Sequence, residues 1–320
     1  MRYRQLGATG IRVSEIGFGA WGIGGNAKGA VAYGPADEDE SRKALLQAVE
    51  VGVNFFDTSD FYGFGHSEAV LGRALRPVRS KVAIATKVGF LNAAGDQDFS
   101  PSHIERSLDA SLRRLQTDYV DLYQLHSPPR ELLKSNSEIV KTLERLQAAG
   151  RIKAFGLSLR APDDGLVAVR ELGFNCLQVN FNLLDQRAIG NGLFDLCSKR
   201  NVGVIVRTPL VFGFLTGHYS ATDDFDPSDH RRRWSPEQLE RWATAHHLFV
   251  ALIDAKNGEK PSQFALRFCL SFDSVSTVIP GMLKAEHVIE NAGASDLGPL
   301  SQPACGRIAE IYREHGFLVN

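Results

Sequence analysis

Residues 53–87, VNFFDTSDFYGFGHSEAVLGRALRPVRSKVAIATK, decide the fold. Two short apolar runs, Val53–Thr58 and Lys81–Lys87, lie on either side of an amphipathic stretch. Each run is nearly continuous in apolar residues instead of alternating with polar ones, which is typical of parallel strands covered on both faces. The segment therefore predicts a strand, a crossover helix and a second, parallel strand.

The same alternation of apolar runs and amphipathic stretches extends along the chain. One helix start is marked by Ser100-Pro101, an N-cap followed by proline, although Ser102 and Glu105 could form a capping box instead. Roughly eight β/α units favour a closed (β/α)8 TIM barrel over an open sheet, as one α/β domain over residues 1–320. The predicted strands are Ile11–Phe18, Val53–Thr58, Lys81–Lys87, Tyr119–His126, Ala154–Leu159, Cys176–Phe181, Gly203–Thr208 and Val275–Ile279.

Two segments stand outside this repeat. Residues 1–12 hold a Gly-Ala-Thr-Gly turn between short runs and predict an N-terminal β-hairpin. Residues 218–260 are polar and rich in Asp, His and Arg, so we expect a functional loop with one extra helix there. The basic run Arg231–Arg233 is expected on a solvated part of this loop.

Composition argues against several classes of function. Lys and Arg (36) balance Asp and Glu (37), so neither nucleic acid nor a membrane is expected as a partner. The cysteines form no CxxC pair, which argues against a metal site and favours a reducing, cytoplasmic compartment. We expect no signal segment and no membrane-spanning helix. The sequence leaves the oligomeric state undetermined.

One motif points to a different fold. Residues 17–22, GFGAWG, match the G-x-G-x-x-G fingerprint of dinucleotide-binding sheets, and Asp37 lies at a suitable distance for a ribose contact. That fingerprint requires a helix to open at its third glycine. Here the chain continues Ile23-Gly24-Gly25-Asn26, and Asp37 is better placed as the start of the first helix. We therefore favour the barrel.

Four ionisable side chains fall at or just after the ends of neighbouring predicted strands. Asp57 ends the second strand, Tyr62 follows it, Lys87 ends the third strand and His126 the fourth. Barrel enzymes build their active sites at the carboxyl ends of the strands, so we expect the four groups to converge. Singly, each has an ordinary structural interpretation, such as a surface lysine or a satisfied core histidine. Together they indicate a site, because a lysine at the inner end of an apolar strand needs a partner such as Asp57.

Tyr62 is the candidate proton donor of this group. A free phenol, with a pKa near ~10, is a weak acid at neutral pH, and we expect the Lys87 ammonium to lower the pKa of Tyr62. Asp57 would hold Lys87 charged, and His126 would donate a hydrogen bond that orients a carbonyl. A tyrosine donor suits the reduction of a carbonyl to an alcohol, provided that a cofactor delivers the hydride.

A set of motifs makes the chain resemble the aldo-keto reductases over nearly its full length. The resemblance implies a tetrad of Asp57, Tyr62, Lys87 and His126, NADPH as cofactor with NADH possible, and a small carbonyl or alcohol substrate. The motifs are Gly17–Trp21, Phe55–Gly63 with Ser67-Glu68, Thr86-Lys87, Tyr123–His126, Gly156–Ser158, Gln178–Asn180, Thr208–Leu210, Gly213–Gly217, Ile279–Gly281 and Glu290-Asn291.

The resemblance also implies where a dinucleotide binds. Ser158 and Gln178 would hold the nicotinamide carboxamide, residues 208–215 would line the pyrophosphate, and residues 281–291 would hold the adenosine end. We expect Gly281 to open a helix whose N-terminus, with Lys284, favours an anion such as a 2′-phosphate. The implied cofactor-binding residues are Gly19, Ala20, Trp21, Asp57, Ser158, Gln178, Arg207, Thr208, Pro209, Leu210, Gly213, Leu215, Gly281, Lys284, His287, Glu290 and Asn291.

The chain departs from the family pattern at three positions. Leu159 replaces a frequent Asn, which would remove one carboxamide contact, and His287 replaces a frequent Arg or Gln near the 2′-phosphate. Arg207 replaces an aromatic ring that often stacks on the nicotinamide. One hypothesis is that Arg207 disfavours the cationic oxidised cofactor and weakens NADP+ retention. The alternative is that Arg207 pairs with a neighbouring acid and does not face the cofactor.

The predicted rim of the cavity is aromatic, which favours apolar or planar carbonyl compounds, or sugars stacked on rings. Three functions remain compatible: a carbonyl reductase, an NAD(P)+-dependent sugar or alcohol dehydrogenase, and a cofactor-binding regulatory subunit. The intact tetrad favours an enzyme. The rim residues are Trp21, Phe61, Phe64, Phe90 and Phe212, and the candidate substrate contacts are Trp21, Tyr62, Phe90 and His126.

Overall fold

A computed structural model describes residues 1–135 and 137–317, apart from the side chains of Lys28 and of residues 133–135 and 137. The strands are β1 Tyr3–Gln5, β2 Arg12–Ser14, β3 Phe18–Gly19, β4 Phe55–Asp57, β5 Ala83–Val88, β6 Val120–His126, β7 Ile152–Ser158, β8 Cys176–Asn180, β9 Gly203–Arg207 and β10 Val275–Val278. The helices are α1 Glu38–Glu50, α2 His66–Leu75, α3 Pro101–Leu115, α4 Arg130–Ser135, α5 Ser137–Ala148, α6 Pro162–Glu171, α7 Arg187–Gly190, α8 Leu193–Arg200, α9 Pro236–Ala245, α10 Pro261–Leu270, α11 Ala285–Leu297 and α12 Gln302–Glu314.

Strands β3 to β10 form one parallel sheet of eight strands in sequence order. Parallel bridges from Ile16 to Val278 and from Gly19 to Gly281 join its first and last strands. This arrangement confirms the predicted (β/α)8 barrel. The single strand predicted at residues 11–18 is wrong, because this segment serves two sheets: β2 pairs with β1, and only Phe18 and Gly19 form the barrel strand β3.

The first glycine-rich segment closes the barrel, and its third glycine opens only a three-residue 3-10 turn, Gly22–Gly24, instead of the α-helix that the fingerprint requires. A Cβ atom on Gly19 would lie 2.7 Å from the carbonyl oxygen of Ile279 on the closing strand, so only glycine fits there. The first α-helix begins at Glu38, where the Asp37 side chain accepts a hydrogen bond from the backbone N–H of Glu40. The preference for a barrel over a dinucleotide-binding sheet is therefore confirmed.

Helix α3 shows how the crossover helices cover the sheet. Ser100 caps it by accepting from the N–H of His103, as the Ser100-Pro101 pair predicts. Its apolar residues recur every three or four positions, so they form one face that packs on the barrel. The buried members of that face are Ile104, Leu108, Leu112 and Leu115.

The predicted hairpin is present and packs against the barrel interior. Its apolar side chains Leu6, Ile11 and Val13 join a buried cluster with residues from the barrel strands, such as Phe55 and Ile205. The N–H of Ala8 donates to the carbonyl oxygen of Asn201 over 2.9 Å, just before β9. The hairpin therefore lies at the amino ends of the strands, opposite the end where the predicted site residues lie.

The long insertion after residue 217 contains α9, as predicted, and crosses to the loop after β3. The backbone N–H of His230 donates to the carbonyl oxygen of Ala32 over 2.8 Å. The prediction that Arg231 lies on a solvated loop is wrong: Arg231 is 6% exposed. Its guanidinium pairs with Asp229 at 2.6 Å and lies 4.1 Å from the ring centre of Phe225. Only Arg232 and Arg233 of the basic run are exposed.

Among the described helices, none is both long and apolar enough to span a membrane.

Gly7 tests the contact between hairpin and barrel. It has a φ of +53°, and a Cβ atom on it would lie 2.2 Å from the backbone nitrogen of Gly203. We expect Gly7→Ala to lower the free energy of unfolding by about 2 kcal/mol or more, measured by urea denaturation. Gly10 has a φ of +76°, but a Cβ atom on it would meet no atom within 4 Å. Gly10→Ala therefore tests backbone strain alone, and we expect it to lower the free energy of unfolding by about 1 kcal/mol. Equal losses in both variants would contradict the close-approach argument.

Candidate active site

The loop that carries Tyr62 is anchored by helix α2. The hydroxyl of Ser67 lies 2.8 Å from that of Thr58, and it donates to the carbonyl oxygen of Ala20. The next residue, Glu68, is fully buried, and it accepts from Thr86 at 2.5 Å and from Arg114 at 2.6 Å. These buried contacts tie the β4–α2 loop to the barrel wall and position Tyr62.

The four predicted groups meet at the carboxyl end of the barrel. Lys87 is 0% exposed, and its ammonium donates to Asp57 at 2.5 Å, to the carbonyl oxygen of Thr58 at 2.8 Å and to the Tyr62 hydroxyl at 3.2 Å. The rings of Tyr62 and His126 pack edge to face, with their centres 5.9 Å apart. The predicted convergence is therefore confirmed, and the interpretation of Lys87 as a surface lysine is excluded.

The Asp57 carboxylate accepts hydrogen bonds from three side chains. Besides Lys87, its second oxygen accepts from the amides of Gln124 at 3.1 Å and Gln178 at 2.7 Å. Burial alone would lower the pKa of Lys87, but the Asp57 carboxylate and the Tyr62 hydroxyl together raise it. Lys87 is therefore charged at neutral pH, as predicted.

The expected effect on Tyr62 is wrong in its net direction. Burial raises the pKa of Tyr62 above its ordinary value, and the lowering by Lys87 offsets this only in part. The sequence indicates the charge of Lys87 but not the desolvation of the phenol, which disfavours the phenolate. The phenol is therefore protonated at neutral pH, and its hydroxyl is already hydrogen-bonded to an ammonium.

His126 contacts a residue that the sequence did not single out. Its Nδ1 lies 3.2 Å from the hydroxyl of Ser59, which is buried beside the β4 strand end. Burial, followed by the nearby charges of Lys87 and Arg207, lowers the pKa of His126 well below its usual range. The imidazole is therefore neutral at physiological pH, with one protonated nitrogen.

A cavity of about 740 Å³ opens above these groups. Three of the four catalytic candidates and most of the predicted cofactor residues line it, and so does the entire predicted aromatic rim. The predicted residues on its wall are Gly19, Ala20, Trp21, Asp57, Phe61, Tyr62, Phe64, Phe90, His126, Gln178, Arg207, Thr208, Pro209, Leu210, Phe212, Gly213, Gly281, His287, Glu290 and Asn291.

Four predicted residues lie off this wall. Lys87 lies beneath it, and Ser158 is buried with its hydroxyl 3.4 Å from Gln178. Leu215 is packed into the hydrophobic core. Lys284 is the N-cap of α11, which begins at Ala285, so the expectation that Gly281 opens this helix is wrong. Gly281 instead forms the bridge to Gly19 that closes the barrel.

Arg207 faces the cavity and has no acidic partner among the described residues. Its Nη2 donates to the carbonyl oxygen of Leu159 at 3.2 Å, and its buried Nε has no partner within the same residues. The neighbouring acid, Asp185, is engaged by Arg187 and Asn180, each at 2.6 Å. The alternative in which Arg207 pairs with an acid is therefore wrong for the part of the chain that the structure describes.

The loop after β9 has an unusual backbone. Thr208, Val211 and Phe212 have φ values of 56°, 48° and 55°, and Gly213 follows at 96°. Left-handed conformations of non-glycine residues cost roughly 1–3 kcal/mol each and are concentrated in binding loops. Turns of this kind can present successive N–H groups to an anion. This loop and the adjoining Arg207, whose Nε has no partner among the described residues, form a wall that could hold a dinucleotide.

Another part of the cavity wall was not predicted as a contact. Tyr33 and His230 both line the cavity, and their rings pack on Trp21 with centres 5.2 Å and 4.6 Å away. They come from the loop after β3 and from the long insertion. Loops of this kind carry no strand-end signal. The expectation of a functional loop at residues 218–260 includes His230, but no sequence signal points to Tyr33.

The barrel and the groups at its mouth define the class of protein: an oxidoreductase whose site is built from a phenol, an ammonium and an imidazole. A sequence profile of the Aldo/keto reductase family matches residues 15–313, and the chain belongs to this family. The predicted family and enzyme class are thereby confirmed.

Individual relatives agree with this assignment. Aldo-keto reductase yakc [NADP(+)] of Schizosaccharomyces pombe is 31% identical over 88% of this chain and 84% of its own. The NADH-specific methylglyoxal reductase of Escherichia coli is 30% identical over 93% and 94%. The structure of a glycerol dehydrogenase from Gluconobacter oxydans superposes with a TM-score of 0.81 at 26% identity, over 99% and 97% of the two chains.

Within the described residues, no group of three or more His, Cys, Asp or Glu side chains could hold a metal ion.

Lys87 tests the ion pair beneath the cavity. We expect Lys87→Met to lower the free energy of unfolding by about 3 kcal/mol, because it leaves the Asp57 carboxylate buried without its counter-ion. Adding Asp57→Asn should restore part of this loss, since the uncompensated charge disappears. The exposed pair of Lys43 with Glu40 is the control, and Lys43→Met should leave the free energy of unfolding nearly unchanged. Additive losses in the double variant, measured by urea denaturation, would contradict the pairing.

Proposed function

We propose that the protein reduces an aldehyde or ketone to an alcohol with NADPH, and that Tyr62 donates the proton. The observation that carries this proposal is the hydrogen bond from the buried, Asp57-paired ammonium of Lys87 to the Tyr62 hydroxyl at the floor of the cavity. When bound, a reduced nicotinamide supplies the hydride that the side chains cannot.

The side chains divide the proton chemistry among them. The phenol is protonated before reaction, and the alkoxide that develops on a carbonyl oxygen takes its proton. The phenolate left behind is stabilised by Lys87, which is itself held by Asp57 and the Thr58 carbonyl. The ring centre of His126 lies 5.9 Å from that of Tyr62, and His126 binds and orients the substrate oxygen from the side.

We assign the dinucleotide to the part of the cavity between Tyr62 and α11. Gln178 and Ser158 would hold the carboxamide, residues 208–213 the pyrophosphate, and Asn291 with its neighbours the adenosine end. We propose NADPH over NADH because the N-terminus of α11 and the exposed Lys284 would both favour the anionic 2′-phosphate of NADPH. The neighbouring His287 adds no charge of its own at neutral pH, because burial lowers its pKa below the usual value.

The aromatic side of the cavity indicates the substrate class. Phe61 and Phe90 lie 5.1 Å apart at their ring centres, and Phe90 packs edge to face on His126 at 4.8 Å. A carbonyl compound with an apolar or planar body would be held between these rings and Trp21. The reverse reaction, oxidation of an alcohol or sugar by NAD(P)+, is the second candidate, because Arg207 places a positive charge where it would favour the neutral, reduced cofactor.

We propose a cytoplasmic location because the cysteines are free thiols. Cys176, Cys197 and Cys269 are buried free thiols, and Cys305 is a partly exposed one. Reduced thiols in this number suit a reducing compartment.

The proton donor is tested by removing one oxygen atom. We expect Tyr62→Phe to lower the rate of aldehyde reduction by about 10²–10⁴-fold, because the alkoxide loses its proton donor. NADPH binding, measured by fluorescence titration, should be retained. Tyr33→Phe removes a second hydroxyl from the cavity wall and is the control expected to keep most of the activity. Equal rates for wild type and Tyr62→Phe over a panel of aldehydes would contradict the proposal.

Arg207 is tested by the affinities of the two cofactor forms. The oxidised nicotinamide is cationic and the reduced one neutral, so removing the guanidinium should favour NADP+. We expect Arg207→Tyr to tighten NADP+ relative to NADPH by about tenfold, equivalent to roughly 1.4 kcal/mol. Arg233→Tyr, at the exposed rim of the cavity, should leave this ratio unchanged. An unchanged ratio in Arg207→Tyr would show that the charge does not act on the nicotinamide.

A further inference from the structure

A chain of hydrogen bonds connects His126 to an acid outside the tetrad. Ser59 lies between them: its hydroxyl is 3.2 Å from Nδ1 of His126 and 3.2 Å from the nearer carboxyl oxygen of Asp60. The other oxygen of Asp60 accepts from the Ser107 hydroxyl at 2.7 Å. The Ser59 oxygen also accepts the N–H of Phe61 at 3.1 Å.

The hydrogen bonds that link Asp60, Ser59 and His126 can all form in two different arrangements of protons. With Asp60 ionised, Ser59 donates to Asp60, so its oxygen must accept from Nδ1–H of His126. With Asp60 protonated, the carboxyl O–H donates to Ser59, and Ser59 donates to an unprotonated Nδ1. The Phe61 N–H bond is kept in both arrangements. Because His126 is neutral, its single proton lies on Nδ1 in the first arrangement and on Nε2 in the second.

We propose that Asp60 is a positioning residue that decides, through Ser59, which nitrogen of His126 carries the proton. Conversion from the first arrangement to the second takes up one proton in total. Asp60 gains it, while His126 gives up the proton on Nδ1 and takes one on Nε2. On the proposed function, Nε2–H donates to a substrate carbonyl in the protonated arrangement, and bare Nε2 accepts from an alcohol hydroxyl in the ionised one.

The surroundings of Asp60 make both arrangements accessible near neutral pH. Burial, and next the charge of Glu68 on α2, raise the pKa of Asp60 to about 7, against the opposing effects of Ser107, Ser59 and Arg114. Arg114 is itself paired with Glu68 at 2.6 Å. The buried phenol of Tyr123 on β6 also faces this carboxyl, and burial raises its pKa well above the usual value, so it is neutral.

Asp60 can exchange protons without using the main cavity. It lines a second cavity of about 330 Å³, together with His103, Arg106 and Ser107 of α3. Phe61, Phe64 and Phe90 line both cavities, whereas Asp60 lines only the second. Bound substrate and cofactor therefore need not block titration of Asp60.

The direct test is ¹⁵N NMR of the histidine rings in the full-length protein, with His126 assigned by the loss of its signals in His126→Gln. We expect Nε2 of His126 to be protonated at pH 5.5 and unprotonated at pH 8.5, with Nδ1 showing the opposite change. In Asp60→Asn and in Ser59→Ala, the tautomer should no longer change over this range. Ser107→Ala is the matched control: it removes a hydrogen bond to the carboxylate and keeps Ser59, so the midpoint should move to higher pH.

A second readout is the pH profile of carbonyl reduction. Wild-type kcat/KM should fall at least about tenfold between pH 6 and pH 8 as Nε2 loses its proton, and the profile should flatten in Asp60→Asn. A His126 tautomer that is the same at both pH values, or that still changes in Asp60→Asn, would overturn the proposal. The NMR experiment does not depend on turnover. It therefore tests the role of Asp60 even if the protein proves not to be a carbonyl reductase.

Discussion

The ammonium of Lys87 is the constraint on which the rest of the site depends. It has no exposed surface and lies inside an apolar barrel, where an unpaired charge would be unstable. Asp57, the Thr58 carbonyl and the Tyr62 hydroxyl satisfy its three donors, and Gln124 and Gln178 then satisfy Asp57. Strands β4, β5, β6 and β8 each contribute to this network, so the barrel must close correctly for the charge to be stable. Folding and the placement of the phenol are thus coupled through one buried cation.

Much of this arrangement was predictable because strand ends are visible in sequence. Asp57, Lys87 and His126 each follow an apolar run, and parallel strands bring such ends to one face. The contributions of loops were not predictable in the same way. Ser59, Asp60, Tyr33 and His230 lie where no periodic pattern fixes a direction, and only the folded chain shows that they line the cavities or bond to His126.

Two of the errors in prediction, at Tyr62 and at Arg231, share one physical cause, which is desolvation. The sequence shows that a cation lies near Tyr62, but not how completely the phenol is buried, so the direction of the pKa change was wrong. Arg231 was expected in solvent because it lies in a basic run, yet aromatic rings and Asp229 cover it. Arg207 is a different case: it lines the cavity, and its buried Nε makes no hydrogen bond within the described part of the chain.

The contact between Ala32 and His230 has a consequence for the order of assembly. It joins residues 198 positions apart, whereas β4 to β9 pair with strands that are near in sequence. Closing so long a loop is entropically unfavourable until the intervening β/α units are in place, so this wall forms after them, as does the still longer closure from Ile16 to Val278. The bonds between Ala32 and His230 join two loops at the rim of the cavity, and such loops belong to the less stable part of a fold, so they open more readily than the sheet. The enzyme would therefore complete its ligand cavity last and loosen it first.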